Sequence, residues 1–487
     1  MTFSERGATP QQDLAAARED ARGDRPVSYE GCQADLPKGG IVDAVKMLEQ
    51  KTLVTDTGAF AKFLERHDPS ELQDRAAVDA IYRESIAAGV IDHHSIDQFL
   101  ASGGVKSEKC ATQMVVDYQD AVLETIKKNA VEKVSTHEDS DMDAICSSWL
   151  TKSLIDRGRL PAMAGELAEV ANRVDYGRFD ISDPKVFARS LPGTIDAVKG
   201  LLKERSGAEL GAEVFSKPEL KAPNGRLNAE GVKKLEEISA KYEDRRNRAV
   251  FDLLNQLERA KRQDPAMRLD GDIDAVVAVL PPDIQELVTE GRKKVIESHE
   301  KFLKEFEQAA KFKATIKDKR GRDLEVNMIV ADSPEPLTFT NLAYLRTSPD
   351  TIVAVYGGKD RKASDNYDIG ITPDMANAMD LRRLCLALNA AEKVKRDAIS
   401  AKPAGERTPE EQEKAEAWEK QRAAGQTRKM FGNIDELVGR GEAGAGEIID
   451  IDPTVLVAAD SLIAASRTSL LTREEFAAVM KKFVSGK

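Results

Sequence analysis

Histidine and aspartate residues that could bind a metal ion lie close together near residue 140. His137, Asp141 and Asp143 have the spacing His-x-x-x-Asp-x-Asp, and the short run before them, Val134 to Thr136, is typical of a buried strand. From Asp143 onward, apolar residues recur at helical spacing. One imidazole and two carboxylates are suitable ligands for divalent cations such as Mn²⁺ or Mg²⁺. A bound cation would also offset the repulsion between two neighbouring carboxylates.

An alternative interpretation of this stretch is structural, because Asp often caps the first turn of a helix. Two upstream segments favour a metal site. One short apolar strand ends at Asp56, although Asp-Thr-Gly is also good turn chemistry, and another ends at Asp92, His93 and His94. Three of the five histidines of the chain therefore fall in strand-end loops. Ligands of open α/β sheets bind at the carboxyl ends of strands, so the three segments together predict one shared metal site.

The three segments resemble the motifs of the DHH phosphoesterase superfamily, which is named for the sequence Asp-His-His. Its first motif, His-x-x-x-Asp-x-Asp-Ala, is matched by residues 137–144. Its second is an Asp that ends an apolar strand and is often followed by Thr-Gly, and Asp56 matches it. Its third is matched by residues 92–94. The resemblance covers roughly residues 41–185 and implies hydrolysis of a phosphodiester or phosphoanhydride bond.

The order of the motifs departs from the family, in which the first, second and third motifs follow one another. Here the second and third precede the first, so the chain resembles a circular permutation of the family's catalytic domain. Sites on a parallel sheet depend on where the strands lie, not on their order along the chain. We therefore expect the strand at Val134 to Thr136 to lie beside those that end at Asp56 and Asp92, with the ligands converging on one pocket.

The resemblance implies two manganese ions per chain, with Mg²⁺ as an alternative. The expected ligands are His137, Asp141 and Asp56 for one ion, and Asp143, Asp56, His93 and Asp175 for the other. Two such ions, about 3.5–4 Å apart, would bind a phosphate and activate a water molecule between them. The expected catalytic residues are His94, which would contact the substrate phosphate, and Asp92, which would orient a ligand from behind.

Several of these assignments leave alternatives open. Asp175 follows a helix predicted from Ala162 to Val174, and Asp180 is the alternative fourth acidic ligand. The candidate substrate contacts are Arg178, Arg382 and Arg383, and an ordinary surface position is the alternative for each. The Gly-Gly-Gly-His phosphate loop of many family members is missing, and the glycine-rich stretches at 357–359 and 439–446 are its nearest substitutes.

Length and charge pattern predict an α/β protein of several parts. The expected parts are a disordered or frayed N-terminal arm over residues 1–38, a DHH-like catalytic domain with a mostly parallel sheet over 39–190, a helical connector over 191–312, a smaller α/β substrate-binding domain over 313–395, and a charged linker with C-terminal helices over 396–487. His67 and His299 match none of the motifs and are expected at the surface.

Composition limits the partners of the protein. No apolar run approaches the ~20 residues that a membrane span needs, no secretory signal is visible, and the four cysteines show no zinc spacing. These features favour a cytoplasmic protein with no membrane partner. The net charge of −12 disfavours binding to long nucleic acid but allows a small phosphate-containing substrate. The C-terminal helices could pack on the body of the protein or form a homodimer.

A binding or scaffold protein that keeps the metal pocket but has lost turnover is the competing hypothesis. The missing glycine loop, the permuted motif order and the long helices are compatible with it. The near-complete ligand set favours the enzyme, because a scaffold does not need three motifs that converge on one metal site.

Overall fold

A computed structural model of the chain describes residues 25–36, 43–57, 75–102, 109–138, 140–222, 227–317 and 321–333. It also describes shorter stretches from residue 339 on, the longest of which are 350–356, 367–371, 397–409, 455–458, 462–465 and 473–484. The protein is mixed α/β. The chain divides into two compact units: the first contains Met1–Asp175 and Asp183–Ile296, and the second contains Tyr176–Ser182 and Glu297–Lys487.

A four-stranded parallel sheet lies within the first unit. Its strands are β1 (Cys32–Leu36), β2 (Thr52–Thr55), β3 (Val90–Ile91) and β4 (Lys133–His137), in the order β1-β4-β2-β3. β4 pairs with β1 on one side and with β2 on the other, and β2 also pairs with β3. The predicted strand at 134–136 therefore lies in one sheet with the strands that end before Asp56 and Asp92.

Over the described residues 25–36, β1 corrects the prediction of a disordered or frayed arm at residues 1–38. Cys32–Leu36 pair in parallel with residues 134–137 of β4. The segment before β1 is also fixed, because the amide side chain of Asn255 accepts a hydrogen bond from Val27 N (2.9 Å) and donates one to Val27 O (3.0 Å). Burial along β1 alternates between half-buried and exposed residues, as it does in an edge strand with one solvated face. The polar residues on that face concealed the strand in the sequence.

Most of the other described residues of the first unit lie in helices. They are α1 (Ala44–Glu49), α2 (Arg75–Ala87), α3 (His94–Ser102), α4 (Ala111–Asp117), α5 (Gln119–Asn129), α6 (Met142–Arg157), α7 (Ala164–Asp175), α8 (Pro184–Arg189), α9 (Leu191–Leu210), α10 (Ala229–Gln263), α11 (Asp274–Val277) and α12 (Pro282–Gln308), of which α12 continues into the second unit. The helices expected to form a separate connector over 191–312 thus group with the parallel sheet as far as Ile296.

α6 begins directly after the central strand and is the most deeply buried helix around the site. Residues Met142 through Leu154 are all buried, and the helix packs against β4. Its N-cap is Asp141, whose Oδ1 accepts a hydrogen bond from Ala144 N (3.2 Å). The capping interpretation is therefore correct for Asp141, but the cap uses only one oxygen of the carboxylate.

A six-stranded mixed sheet lies in the second unit. Its strands are β5 (Ala310–Lys317), β6 (Asp323–Asp332), β7 (Thr351–Tyr356), β8 (Tyr367–Ile371), β9 (Val455–Ala458) and β10 (Leu462–Ala465), in the order β5-β6-β7-β8-β10-β9. β5 and β6 pair in antiparallel orientation. Only β6 and β7 pair in parallel. The unit also contains α13 (Arg473–Val484), which is the predicted last helix.

Two predictions for the second unit are wrong. C-terminal helices were expected after residue 396, but the described stretches Val455–Ala458 and Leu462–Ala465 are the antiparallel strands β9 and β10. His299 was expected on a solvated helix face, but only 4% of its surface is exposed. Burial lowers the pKa of His299 to about 4. No helix in the described part of the chain has the length and apolar composition that crossing a membrane requires.

Candidate metal centre

The predicted ligands meet at the carboxyl ends of β2, β3 and β4. Three sets of side chains there have ligand atoms within 4.8 Å of one another: Asp56, His137 and Asp141; His93, Asp143 and Asp175; and Asp56, His93 and His94. All of these residues belong to the first unit. The three separate motifs of the sequence therefore form one cluster in space.

Asp56 lies at the centre of this cluster, directly after β2. Its φ is +53°, a left-handed conformation that Asp adopts more readily than most residues. Two hydrogen bonds fix the backbone on either side: Asp56 N donates to Ile91 O at 2.8 Å, and Thr136 Oγ1 donates to Thr55 O at 2.8 Å. The neighbouring strands thus determine where the Asp56 carboxylate points.

The two oxygens of Asp56 face two different histidines. Oδ2 lies 3.3 Å from His137 Nε2, and Oδ1 lies 3.7 Å from His93 Nε2. Only 3% of the residue is exposed. Each oxygen belongs to a different set of ligands, so both sets could use this carboxylate.

The backbone carbonyl of the next residue orients the ring of His137. Its Nδ1 lies 2.6 Å from the carbonyl oxygen of Glu138, and a carbonyl can only accept, so Nδ1 carries the hydrogen. In the neutral ring the lone pair of Nε2 then faces Asp56 Oδ2, and Asp141 Oδ2 lies 3.8 Å away. The two carboxylate oxygens and the lone pair of His137 Nε2 are so close that a proton or a cation must lie between them.

The second set of ligands has His93 at its centre. Its Nε2 lies 3.4 Å from Asp175 Oδ2 and 4.0 Å from Asp143 Oδ2. Its Nδ1 lies on the other side of the ring, 3.0 Å from Asp97 Oδ2. The ring therefore presents one nitrogen to three carboxylates of the site, including Asp56, and the other nitrogen to a fourth carboxylate outside it.

Asp143 is fixed by backbone amides at the start of α4. Ala111 N donates to Oδ2 (2.7 Å) and Thr112 N donates to Oδ1 (2.8 Å), while Thr112 Oγ1 donates to the backbone oxygen of Asp143 (3.1 Å). Cys110 N donates to Asn172 Oδ1 (2.8 Å) on α7, the helix that ends at Asp175. The short helix α4 thus connects the elements that carry both acidic ligands of this set.

His94 and Asp92 form a hydrogen-bonded pair beside the ligands. Asp92 Oδ1 lies 2.8 Å from His94 Nδ1, and the rings of His93 and His94 are 4.2 Å apart. Asp92 is buried, but 48% of the His94 side chain is exposed. Burial and the neighbouring His93 oppose protonation of His94, yet the carboxylate of Asp92 raises its pKa overall. The imidazole of His94 can therefore meet a ligand that enters from solvent.

The carboxylates of the site repel one another strongly. Burial, followed by the charges of Asp143 and Asp141, raises the pKa of Asp56 well above its usual range. Burial also raises the pKa of Asp175, to about 6, although His93 counteracts it. Burial disfavours the charged form of His93, but Asp175 and Asp97 raise its pKa well above the usual value. The site thus takes up protons readily, and a cation would displace them.

The donor set fits divalent cations. Ligands bound at 2.0–2.2 Å on opposite sides of one ion lie up to about 4.4 Å apart, and the histidine–carboxylate distances of both sets, 3.3–4.0 Å, fall within this limit. Among the residues that the structure describes, Asp56 Oδ1 and Asp175 Oδ2 are buried oxygens that accept no hydrogen bond. Such oxygens are suited to an ion. The mixture of carboxylate and imidazole ligands is compatible with several divalent cations.

Searches of known protein families, curated proteins and solved structures found no match for this chain. The geometry of the cluster is therefore the basis for any functional conclusion.

The remaining predicted residues either belong to none of the described ligand sets or lie outside the described residues. Arg178 is an exposed residue of the second unit, with its guanidinium carbon 5.6 Å from the centre of the Tyr176 ring. Asp180, the alternative ligand, accepts a hydrogen bond from Ser182 N (2.8 Å) and is in none of the described ligand sets. The candidate contacts Arg382 and Arg383 lie outside the described residues, as do His67 and the glycine-rich stretches at 357–359 and 439–446.

Two features of the cluster were missed in the sequence. Asp97 follows His93 by four residues at the start of a helix, so its position could have been found from helical spacing. The amides of Ala111 and Thr112 that fix Asp143 have no side-chain signal. They follow from the position of α4, which only the folded chain shows.

Proposed function

We propose that the protein is a metal-dependent phosphoesterase of the DHH type that cleaves a phosphodiester or phosphoanhydride bond in a small substrate. The observation that carries this proposal is the position of Asp56, whose two oxygens face the ligand sets of His137 and His93. A shared carboxylate between two imidazoles is the arrangement that two neighbouring ions need. Manganese, two ions per chain, is the proposed cofactor, with magnesium as the alternative.

The ions would supply Lewis acidity and a water molecule of lowered pKa. His94 contributes the group that meets the phosphate, because its side chain is half-exposed next to the ligands and its Nδ1 is bound to Asp92. This contact leaves Nε2 free to donate to a phosphate oxygen when the ring is protonated, and the raised pKa of His94 favours that form. Asp92 orients the ring and is buried away from the substrate.

Turnover of a chromogenic phosphodiester with added manganese tests the proposal. The Asp141→Asn variant is the informative one, because Asn caps a helix as well as Asp does while removing the anionic ligand. Loss of a group that only orients a metal ligand lowers activity ~10–100-fold. We expect loss of a ligand itself to lower turnover by at least as much. Asp183→Asn is the matched control, since Asp183 caps α8 through hydrogen bonds to Lys185 N and Val186 N and is no ligand.

The possible outcomes separate the two candidate functions. Turnover that depends on manganese and is lost in Asp141→Asn supports the enzyme. Tight manganese binding without turnover of any phosphate ester or anhydride favours the metal-binding scaffold. Absence of manganese binding to the wild-type protein contradicts both. Pyrophosphate, polyphosphate, cyclic dinucleotides and short oligonucleotides are the substrates to compare, because each contains a phosphodiester or phosphoanhydride bond.

A further inference from the structure

The imidazole of His93 has a carboxylate behind it that is not one of the expected ligands. Asp97 Oδ2 lies 3.0 Å from His93 Nδ1, and only 11% of the Asp97 side chain is exposed. Asp97 N also donates to His93 O at 2.7 Å, so the two residues are joined through one helical turn at the start of α3. The opposite ring nitrogen, Nε2, faces the acidic ligands Asp56, Asp143 and Asp175.

The proton positions on this ring follow from its two neighbours. A carboxylate accepts, so the contact with Asp97 places a hydrogen on Nδ1 of the neutral ring. The lone pair of the neutral ring must then be on Nε2, the nitrogen that faces the site. A metal-binding histidine needs this distribution, and the group that accepts its other N–H fixes the tautomer and raises the basicity of the ligand.

The other ligand histidine achieves the same result by different means. His137 Nδ1 donates to the backbone carbonyl of Glu138 at 2.6 Å, and no side-chain substitution removes that acceptor. The two histidines thus differ in one respect: the partner of His137 is a neutral carbonyl, and the partner of His93 is an ionisable side chain. A change at Asp97 should therefore act on one ion and leave the other as an internal reference.

We propose that Asp97 is a positioning residue that fixes the Nδ1–H tautomer of His93 and thereby sets the affinity of the ion held by His93, Asp143 and Asp175. The inference rests on the proposed two-ion site. The competing explanation is structural, because Asp97 lies in the first turn of α3, where an acidic side chain stabilises the helix through its dipole. A helix-stabilising residue would affect folding but not the tautomer of His93.

Calorimetric titration with manganese separates these explanations. In Asp97→Ala we expect one ion to bind with wild-type affinity and the other about 10–100-fold more weakly. Asp97→Asn keeps an acceptor oxygen in place and should lose less affinity than Asp97→Ala. Asp156→Ala is the matched control, because Asp156 is another carboxylate joined to a residue four positions away, Lys152, and is no ligand. It should bind both ions as the wild type does.

A nitrogen NMR spectrum of the protein, loaded with zinc in place of manganese, shows directly which ring nitrogen of His93 carries the hydrogen. The chain has only five histidines, so ¹⁵N-labelled histidine gives few signals, and a His93→Gln variant assigns the one of interest. We expect the hydrogen on Nδ1 and the ion on Nε2 of His93 in the wild type. Loss of the slowly exchanging Nδ1–H signal is expected in Asp97→Ala, and its retention in Asp97→Asn.

The outcomes distinguish a failure of this inference from a failure of the proposed function. A wild-type protein that binds no ion defeats both. A wild type that binds two ions, with Asp97→Ala binding both equally well, or with both weakened alike, overturns only the role of Asp97. So does a hydrogen on Nε2 of His93 in the wild-type spectrum. If Asp97→Ala does not fold, the spectrum of the wild type decides: a hydrogen on Nδ1 of His93 supports the inference, and a hydrogen on Nε2 overturns it.

Discussion

Asp56 combines a backbone cost and an electrostatic cost in one residue. Its left-handed φ costs roughly 1 kcal/mol relative to an extended residue. Its carboxylate is buried beside Asp143 and Asp141, which together with burial raise its pKa well above the usual range. Neither feature stabilises the metal-free fold. Both are explained if a cation offsets the charge, because residues kept in costly conformations cluster at functional sites.

A second carboxylate, Asp175, should make the stability of the metal-free protein depend on pH. Its pKa in the folded protein is about 6, above the ordinary 3.8, so the folded state binds this proton more tightly than the unfolded state does. The stabilisation from the protonated form is complete below the ordinary pKa and is lost as the pH rises through about 6. At pH 7 the ionised Asp175 should therefore destabilise the metal-free protein.

Melting temperatures of the wild type and Asp175→Asn, measured with a chelator between pH 4 and pH 7.5, test this expectation. The variant should melt a few degrees higher at pH 7, and the gap should close as the pH falls to about 4. Added manganese should reverse the order at pH 7, since only the wild type has the complete ligand set. A gap that stays constant over the whole pH range would show that Asp175 does not titrate in this window.

At the scale of the elements, one close contact between helices controls how α9 and α12 pack. A Cβ atom on Gly291 of α12 would lie 2.2 Å from the backbone oxygen of Ala197 on α9. A methyl group there must push the helices apart. By contrast, a Cβ on Gly200 of α9 would meet nothing within 4 Å. Close packing therefore requires glycine at position 291 but not at position 200.

We expect Gly291→Ala to lower the free energy of unfolding by about 1–3 kcal/mol, as overpacking of a well-filled interior does. Gly200→Ala is the matched control and should raise it by up to about 1 kcal/mol, because alanine is the better helix former. Urea unfolding followed by circular dichroism measures both. Equal and small effects of the two substitutions would show that α9 and α12 can separate at little cost.

The elements that could be predicted from the sequence are those with local signals. β2 and β3 are short runs with apolar residues, β4 is partly β-branched, and all three lead into polar residues; the long helices repeat apolar residues at helical spacing. β1 was missed because its alternating polar and apolar residues, the pattern of a half-buried strand, lie in a polar N-terminal segment. The strands β9 and β10 were mistaken for a helix, because a short apolar run has no period that separates the two structures.

The candidate site was predictable only in part, for the same reason. Its ligands lie in strand-end loops that can be recognised by residue type, and the structure brings those in the first unit together. The groups that orient them are harder to find. The partner of His137 is the carbonyl of Glu138, and the partners of Asp143 are amides of α4, neither of which a residue type reveals. His299 was misplaced because long-range packing, not its neighbours in sequence, buries it.

At the scale of the whole molecule, the candidate metal site lies entirely within one of the two units. Every residue of the three ligand sets lies in Met1–Asp175, within the first unit, and the strands β5 to β10 lie in the second. An ion that binds only the folded first unit should stabilise that unit by mass action, by about 2.7 kcal/mol when its concentration is 100 times the dissociation constant. The second unit has no ligand in the described sets and gains nothing directly.

Hydrogen exchange with and without manganese tests this division. At 100 times the dissociation constant, amides of β4 and α6 that exchange through unfolding of the first unit should slow by up to about 100-fold. Amides of β6 and β7 should not change. Asp141→Asn, which keeps the helix cap but loses an anionic ligand, should reduce the slowing in β4 and α6. Equal slowing in β7 would contradict the prediction, because it would mean that the two units unfold together or that the second unit binds manganese itself.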